Sequence, residues 1–281
     1  MRLPFTKMHG IGNDYVYVNA FETQVPDPPR IARLVSPRRT AIGSDGLILI
    51  APSRVADVRM EMYNADGSRG EMCGNGIRCV AKYAWDHGLA RKNPMAIETD
   101  CGIKTVVLEV VGGRAEHATV DMGAPTLAPD AIPVAARERL VDAPVEIAGE
   151  HLRVTCVSMG NPHCVLFVPS VDDAPVTTLG PRIERDPLFP KRANVEFVEL
   201  LGAAPCERLR MRVWERGSGE TAACGTGACA VAVAAALTGR AGRRVAIDLV
   251  GGRLELEWRE SDDHVYMSGP AAEVFSGEID V

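Results

Sequence analysis

Two segments of the sequence repeat one pattern, and this internal duplication constrains the fold more than any other feature. Residues 64–88 align with residues 215–239 at an offset of 151, so that Cys73-Gly74-Asn75-Gly76 falls on Cys224-Gly225-Thr226-Gly227. At an offset of 148, Gly12-Asn13 precedes YVYVN as Gly160-Asn161 precedes CVLFV, and VDMGAP (120–125) echoes VYMSGP (265–270). Three landmarks in the same order predict a duplicated unit.

Each half contains alternating or β-branched runs around one helical stretch. The strand-like runs are LPFTKM, YVYVN, GLILI, VRMEMY, IKTVVLEV and HATVDM in the first half, and LRVTCVS, CVLFV, NVEFVEL and RLRMRVWE in the second. The helices are predicted at about 74–88 and about 225–238. The second helix, GTGACAVAVAAALTG, has almost no polar face. A helix that is apolar all round must be enclosed, so we expect a sheet wrapped around it.

These patterns predict a mixed α/β (α+β) fold of two pseudo-symmetric domains, each with a sheet around a central helix. The expected domains are residues 1–124, possibly completed by the last ten or so residues, and residues 125–270, which is consistent with a chain of 281 residues. Two such units related by a pseudo-twofold would bring both helix N-termini to a shared cleft.

Composition and charge exclude several classes of protein. The net charge is -6, and no basic stripe is present that could follow a phosphate backbone, so we expect no nucleic-acid partner. The N-terminus MRLPFTKMHG lacks an apolar signal region and the longest apolar stretch, residues 228–237, is too short to span a bilayer. We therefore expect a cytoplasmic protein with no membrane partner.

The eight cysteines are interpreted as free thiols, because disulfide frameworks belong to small secreted chains. The spacings Cys73 to Cys79 and Cys224 to Cys229 are not the C-x2-C pairs typical of structural zinc, so no metal is expected. Cys79 and Cys229 lie inside the predicted helices and are expected to be buried apolar residues.

Cys73 and Cys224 each stand at a predicted helix N-terminus, where unpaired N–H groups and the helix dipole favour negative charge. A thiol there can ionise more easily, from a reference pKa of about 8.5 to about 3.5–7.5 in documented cases. The same N–H groups can hold a carboxylate. Two thiols on opposite faces of one α-carbon could remove a proton and return another, with roles exchanged in the reverse direction. The pattern therefore predicts inversion of an amino acid at its α-carbon by a pair of thiols.

The strings MHGIGNDYVYVN, NADGSRGEMCGNGIRC, SMGNPHCV, RANVEF and WERGSGETAACGTGAC resemble the signature segments of the diaminopimelate epimerase family, in order and over nearly the whole chain. The resemblance implies two pseudo-symmetric α/β domains, conversion of LL-diaminopimelate to the meso form without pyridoxal phosphate, a diamino dicarboxylic acid as the substrate, and a homodimer.

Carried over by position, the resemblance implies that Cys73 and Cys224 are the acid/base pair. It implies that Gly74, Asn75, Gly225 and Thr226 hold the reacting carboxylate. The rest of the substrate would be bound by Asn13, Asn64, Asn161, Asn194, Glu215 and Arg216. Arg216 could grip the distal carboxylate, and Glu215 could accept an ammonium group.

One position departs from the family pattern. Many members have Gln after the Asp of their GxGxDQ segment, whereas Gly46 follows Asp45 here and supplies no side-chain contact. His163 could orient a carboxylate or influence the charge of a thiol, or could be a strand histidine with a satisfied hydrogen bond. Asn13 and Asn161, taken alone, could be turn residues.

Three other functions compete with this interpretation. A racemase of proline, hydroxyproline or histidine type could use the same two-cysteine scaffold. A thiol-rich binding or metal-sequestering module would bind metal and tolerate loss of Cys73. Residues 225–230 also fit G-x-G-x-x-A, with Asp248 about 20 residues beyond, but the polar segment 215–224 separates them from the preceding strand, which disfavours a dinucleotide site.

Overall fold

The computed structural model describes residues 1–70, 72–147 and 149–281. Within it the chain forms two compact units, residues 1–121 with 268–281, and residues 122–267. None of the helices in the described part of the chain has both the length and the apolarity that crossing a bilayer requires.

Apart from one strand, which comes first in the second unit and last in the first, the helices and strands follow one another in the same order in both units. From the N-terminus they are β1 (Arg2–Gly10), β2 (Asn13–Asn19), α1 (Pro28–Val35), β3 (Gly46–Ala51), β4 (Val58–Asn64), β5 (Arg69–Gly70), α2 (Gly74–Asp86), β6 (Met95–Thr99), β7 (Gly102–Val111) and β8 (Arg114–Asp121). They continue with β9 (Ala143–Ile147), β10 (Glu150–Ser158), β11 (Pro162–Phe167), α3 (Val176–Glu184), β12 (Asn194–Leu200), β13 (Cys206–Glu215), β14 (Gly219–Thr221), α4 (Gly225–Leu237), β15 (Ala241–Leu249), β16 (Gly252–Trp258), β17 (Val265–Pro270) and β18 (Ala272–Asp280).

The sheets of the two units share one pattern of strand pairing. In the first unit the neighbours are β18, β1, β2, β3, β4, β6, β7 and β8, with β2/β3 and β4/β6 parallel and the other pairs antiparallel. In the second they are β9, β10, β11, β12, β13, β15 and β16, with β11/β12 and β13/β15 parallel. The C-terminal strand β18 thus pairs with β1 as β9 pairs with β10.

One long helix lies inside each sheet. Helix α2 packs against β1 to β4 and β6 to β8, and α4 packs against β10, β11, β12, β15 and β16. Every residue of α4 from Ala228 to Ala235 is buried, as its missing polar face predicts. Gly88 and Gly239 follow the two helices with φ of 75° and 69°, the left-handed conformation that commonly ends a helix. The predicted fold class, a mixed α/β duplication with a sheet around a central helix, is confirmed.

Two short helices were not anticipated from the sequence. Helix α1 is capped by the Asp27 side chain, which accepts from the Arg30 N–H at 3.1 Å, and it buries Ile31, Ala32 and Val35. Helix α3 contains Pro181. These helices occupy corresponding places, after β2 and after β11, so the duplication extends to them.

Candidate active site

Both candidate catalytic cysteines are helix N-caps with extended backbone, Cys73 at φ -133° and ψ 115°, and Cys224 at φ -122° and ψ 107°. Cys73 Sγ accepts the N–H of Gly76 at 3.3 Å and lies 3.1 Å from Asn13 Oδ1, to which the thiol can donate. The side chain of Cys73 is partly exposed, whereas Cys224 is buried. The cysteines therefore occupy equivalent places in the two units but differ in access to solvent.

A chain of polar groups orients Asn13 in the first unit. Its Nδ2 donates to Asp45 Oδ2 at 2.8 Å, and Arg38 Nη2 donates to Asp45 Oδ1 at 2.6 Å. Because the amide nitrogen is held by Asp45, the amide oxygen faces Cys73. The structure thus joins Asn13 to Cys73 and gives it more than the role of a turn residue. Asp45, identified in the sequence only as the neighbour of Gly46, has an orienting role.

The first turn of α2 is fully enclosed. Gly74 and Asn75 are buried, and Asn75 Oδ1 has no hydrogen-bond partner among the described residues. Arg78, also buried, donates from Nη1 to the Gly74 carbonyl at 3.1 Å. Sequence reasoning missed Arg78, although the 151-residue offset aligns it with Cys229 and so exposes a charge difference between the halves. Asn64 ends β4, where its amide donates to Ser68 Oγ at 3.0 Å.

Candidates of the second unit are connected by side-chain hydrogen bonds. Thr226 Oγ1 lies 3.6 Å from Cys224 Sγ and accepts from Asn161 Nδ2 at 3.2 Å. Asn161 Oδ1 is 3.0 Å from His163 Nε2, and His163 Nδ1 is 2.6 Å from Glu196 Oε1. His163 is therefore a histidine with both ring nitrogens hydrogen-bonded, within a chain that reaches the first turn of α4. Sequence reasoning missed Glu196.

The remaining candidates surround the end of β13. Asn194 Oδ1 accepts the backbone N–H of Arg216 at 2.9 Å, and Glu215 accepts the hydroxyl of Thr221. The exposed Arg216 side chain donates from Nη1 to the Lys191 carbonyl at 3.1 Å. Asn194 thus fixes the turn that carries Arg216. Gly225 is buried within the first turn of α4.

The ionisation of Cys224 differs from the expectation for a helix N-terminus. Burial raises the pKa of its thiol well above the ordinary value, and the carboxylates of Glu215 and Glu196 raise it further. Burial also raises the pKa of the Glu215 carboxyl. The favourable helix dipole is thus outweighed by desolvation and by two nearby acids.

Two further cysteines lie inside the central helices α2 and α4. Cys79 and Cys229 are fully buried, which confirms the prediction that they are core residues. Burial raises the pKa of Cys79 to about 11, so its thiol is inert at neutral pH.

In the described residues no group of three or more His, Cys, Asp or Glu side chains could hold a metal ion. The strand that pairs in parallel with β15 is β13, which ends at Glu215, and the short antiparallel strand β14 follows it before α4 begins at Gly225. The turn from a parallel strand directly into the glycine, typical of a dinucleotide site, is therefore not formed here.

Comparison with known proteins identifies the family. A family model described as diaminopimelate epimerase matches residues 5–128 and 155–274. The chain belongs to the diaminopimelate epimerase family. It is 56% identical over 277 residues to a diaminopimelate epimerase of Moorella thermoacetica, with 98% of each chain covered. It is 55% identical over 278 residues to one of Acetivibrio thermocellus, with 99% of this chain and 98% of the relative covered.

Solved structures with much lower identity share the fold. A PhzF-family phenazine biosynthesis protein of Bacillus anthracis matches with a TM-score of 0.72 at 17% identity, over 100% of both chains. A probable proline racemase of Agrobacterium radiobacter K84 matches with a TM-score of 0.72 at 15% identity, over 99% of this chain and 93% of that one. A hydroxyproline epimerase of Agrobacterium vitis gives a TM-score of 0.69 at 16% identity, with 99% and 92% covered. These likenesses concern the fold alone.

Proposed function

We propose that this chain interconverts LL-diaminopimelate and meso-diaminopimelate, with Cys73 and Cys224 as the two acid/base groups. The observation that carries the proposal is that both cysteines are N-caps of the corresponding enclosed helices α2 and α4. Relatives at 55–56% identity over nearly the full chain carry the name diaminopimelate epimerase, which supports the choice of substrate.

The proposed reaction begins with binding of the α-carboxylate at the helix N-termini. Backbone N–H groups there, with Asn75 and Thr226 beside them, are suited to an anion. One cysteine, as thiolate, removes the α-proton, and the other, as thiol, returns a proton to the opposite face. Because burial and nearby carboxylates raise the pKa of the Cys224 thiol well above its usual value, Cys224 is the proposed donor in the first turnover. Donors worth about 2.7–4 kcal/mol each would stabilise the developing charge on the carboxylate.

Selection of a diamino diacid is proposed to come from polar groups beyond the cysteines. Arg216 can hold the distal carboxylate with its planar guanidinium, and Glu215 can accept an ammonium group. Asn13, Asn64, Asn161 and Asn194 would supply the remaining donors and acceptors. The partners that orient Asn13, Asn161 and Asn194 support this role, since preset donors lose less freedom when substrate binds.

Single substitutions test the pair of cysteines. Cys73→Ala and Cys224→Ala are each expected to lower kcat by at least about 10²–10⁴-fold, the usual contribution of a general acid or base. Cys101→Ala, which removes an exposed cysteine, is the matched control and is expected to retain activity. Circular dichroism would confirm that each variant folds. Turnover by Cys73→Ala or Cys224→Ala at the rate of the control would refute the two-thiol reaction.

Convergence of the two cysteines is tested without an activity assay. If both flank one substrate carbon, mild oxidation of the closed enzyme can join Cys73 to Cys224, provided their Cα atoms come within about 7 Å. Peptide mass spectrometry should then recover a cross-linked peptide, and the reduced protein should regain activity. Recovery of both thiols unmodified after oxidation, under conditions that inactivate the enzyme, would contradict the proposal.

Three further parts of the proposal concern the working state of the enzyme. The reaction is proposed to need no pyridoxal phosphate, and full turnover by dialysed protein in its absence is the expected result. A homodimer is proposed because members of the resembled family are commonly dimers, and light scattering should give twice the mass of 30.2 kDa. A cytoplasmic location is proposed from the sequence and is checked by fractionation of cells.

A further inference from the structure

The two units hold Asn13 and Asn161, which correspond at the offset of 148, by different groups. In the first unit Asn13 Nδ2 donates to Asp45 Oδ2 at 2.8 Å, whereas in the second Asn161 Nδ2 donates to Thr226 Oγ1 at 3.2 Å. The same offset relates the register of β2/β3 to that of β11/β12 and places Ala193 where the first unit has Asp45. A carboxylate that holds the amide is thus present at this place in the first unit and absent from it in the second.

Asp45 is itself held firmly. Its N–H donates to the Asp14 carbonyl at 2.7 Å, and its Oδ2 accepts the Asp14 N–H at 3.1 Å. Its Oδ1 accepts from Arg38 Nη2 at 2.6 Å. With Asn13 included, the Asp45 side chain accepts from three donors, one of them a guanidinium, which is the pattern of an ionised carboxylate. Since a carboxylate only accepts, the atom of Asn13 that faces Asp45 must be the amide nitrogen.

The fixed amide determines what Cys73 meets. With its nitrogen at Asp45, the Asn13 amide has its oxygen 3.1 Å from Cys73 Sγ. This oxygen can accept the S–H of a thiol but cannot donate to a thiolate. A hydrogen bond to the neutral form of an acid disfavours the charged form, so the fixed oxygen increases the affinity of Cys73 for a proton. The N–H of Gly76, 3.3 Å from Sγ, acts in the opposite sense whichever way the amide points. Cys224 has a hydroxyl instead, Thr226 Oγ1 at 3.6 Å, which can donate as well as accept.

Charged and ionisable side chains around this place also influence the sulfur. Two cations and two carboxylates form a balanced group of ion pairs, namely Lys7, Arg38, Asp14 and Asp45. Arg78 is a further cation, beside the first turn of α2. Burial raises the pKa of Tyr17 in β2 and of Cys79 in α2, so both are neutral at pH 7. Loss of the Asp45 charge would by itself favour a thiolate, in the same direction as release of the amide, so an experiment has to separate the two effects.

We propose that Asp45 is a positioning residue, which fixes the amide of Asn13 with its oxygen towards Cys73 and thereby makes this cysteine a stronger base for the α-proton. This role rests on the proposed two-thiol function. The proton passes from the α-carbon to Sγ while the electron pair of the C–H bond stays on the carbon, and the new S–H can donate to Asn13 Oδ1. Without Asp45 the amide can turn its N–H groups to the sulfur, which stabilises the thiolate and weakens it as a base.

The reactivity of Cys73 tests this role without a turnover assay. Alkylation by iodoacetamide is followed from pH 5 to pH 10 by peptide mass spectrometry in the wild type and in Asp45→Ala. A larger share of thiolate, partly offset by its lower nucleophilicity, should speed alkylation of Cys73 about threefold or more at pH 7, with no gain in the limiting rate at high pH. Alkylation of Cys224 should not change. Asp100→Ala, which breaks an ion pair with Arg69, is the matched control and should keep the wild-type profile. A rise in the rate at every pH, the limiting rate included, would indicate greater exposure of Cys73 and would overturn the inference.

Two further variants separate orientation from charge. In an Asn13→Ala background, Asp45→Ala should not speed alkylation of Cys73 any further at pH 7, because Asp45 acts through the amide. Asp45→Asn loses the charge but keeps an oxygen that can accept from Asn13, so its profile should stay close to that of the wild type, and it keeps the question testable if Asp45→Ala does not fold. Equal acceleration in Asp45→Asn and Asp45→Ala, or the same acceleration with and without Asn13, would show a direct effect of charge and overturn the inference.

Turnover provides the second readout. Epimerisation by Asp45→Ala should lose about 3- to 10-fold in kcat, because Cys73 is then the weaker base, and Asp45→Asn should lose less. Wild-type kcat in a folded Asp45→Ala whose alkylation profile has shifted would contradict the link between the amide and the strength of the base. A wild type that does not epimerise diaminopimelate, but whose variants give the expected alkylation profiles, would refute the proposed function and leave the positioning of Asn13 by Asp45 in place.

Discussion

A side chain at position 46 should damage both stability and substrate binding, although many members of the family carry Gln there. Gly46 begins β3 with φ of 157°, and a Cβ at this position would overlap the Tyr63 carbonyl oxygen and lie 3.0 Å from Tyr15 Cε1. The overlapped atom is backbone, so it cannot rotate away. Relief requires a shift of β4, whose Asn64 pairs with Gly46.

The magnitude follows from two contributions. Overpacking costs about 1–3 kcal/mol, and a sparsely populated backbone conformation costs about 1–3 kcal/mol. A midpoint of about 4 kcal/mol corresponds to a fall in Tm of about 12 °C. The control is Gly113→Ala in the β7–β8 turn, where φ is 83° but nothing lies within 4 Å of a Cβ. Backbone strain alone predicts about 1–2 kcal/mol there, or about 5 °C.

Thermal unfolding followed by circular dichroism compares Gly46→Ala, Gly46→Gln and Gly113→Ala, and steady-state kinetics follow for those that fold. We expect the two Gly46 variants to melt lowest and to show a raised KM, because Asn64 moves with β4. Gly113→Ala should keep the KM of the wild type. Equal Tm values for Gly46→Ala and Gly113→Ala, with KM unchanged, would refute the argument from backbone overlap.

Further predictions concern buried charge and helix packing. Asp86→Ala leaves the buried ammonium of Lys82, 2.9 Å from the Asp86 carboxylate, without its charged partner, and should lower the free energy of unfolding in urea by about 3–5 kcal/mol. As a control, Asp172→Ala breaks an exposed ion pair and should lower it by less than about 1 kcal/mol. Although burial raises the pKa of Asp86, its hydrogen bonds from Lys82 and the Ala115 N–H hold it below the ordinary value. The stabilisation by the ionised Asp86 carboxylate is therefore complete above about pH 4 and is lost as the pH falls through its lowered pKa. In Asp86→Asn, the free energy of unfolding should accordingly decrease less between pH 4 and lower pH than it does in the wild type. Gly227→Ala should lower kcat, measured with LL-diaminopimelate, because its Cβ would lie 2.8 Å from Glu196 Oε1 and 3.2 Å from Cys224 Sγ; wild-type kcat would contradict this.

The enclosure of α4 could be predicted because its sequence leaves no polar face to meet solvent. Helix α3 could not, because Gly180 and Pro181 are residues that usually end helices. The structure explains Gly180 by packing, since a Cβ there would lie 2.7 Å from Trp214 Cβ. A tertiary contact between α3 and β13 thus overrides local propensity, and sequence pattern alone contains no trace of it.

The residues of the candidate site were also only partly predictable from the sequence. The duplicated Cys-Gly segments and the paired Asn residues were visible from self-alignment. Glu196 was not, because its alternation with Val195 and Phe197 is typical of a strand with one exposed face. In the structure α4 covers that face, so the carboxylate is buried against His163. Extension of the 148-residue offset to β3 and β12 would have revealed the exchange of Ile48 for Glu196.

The most direct test of the central claim is proton NMR of LL-diaminopimelate with the pure enzyme in D2O, under reducing conditions and without added cofactor. The two-thiol reaction predicts that solvent deuterium enters the α-position as the meso isomer forms, while proline and histidine stay unlabelled. Label in another amino acid instead would contradict the assigned substrate. Absence of exchange with every amino acid tested would contradict the claim that Cys73 and Cys224 are an acid/base pair.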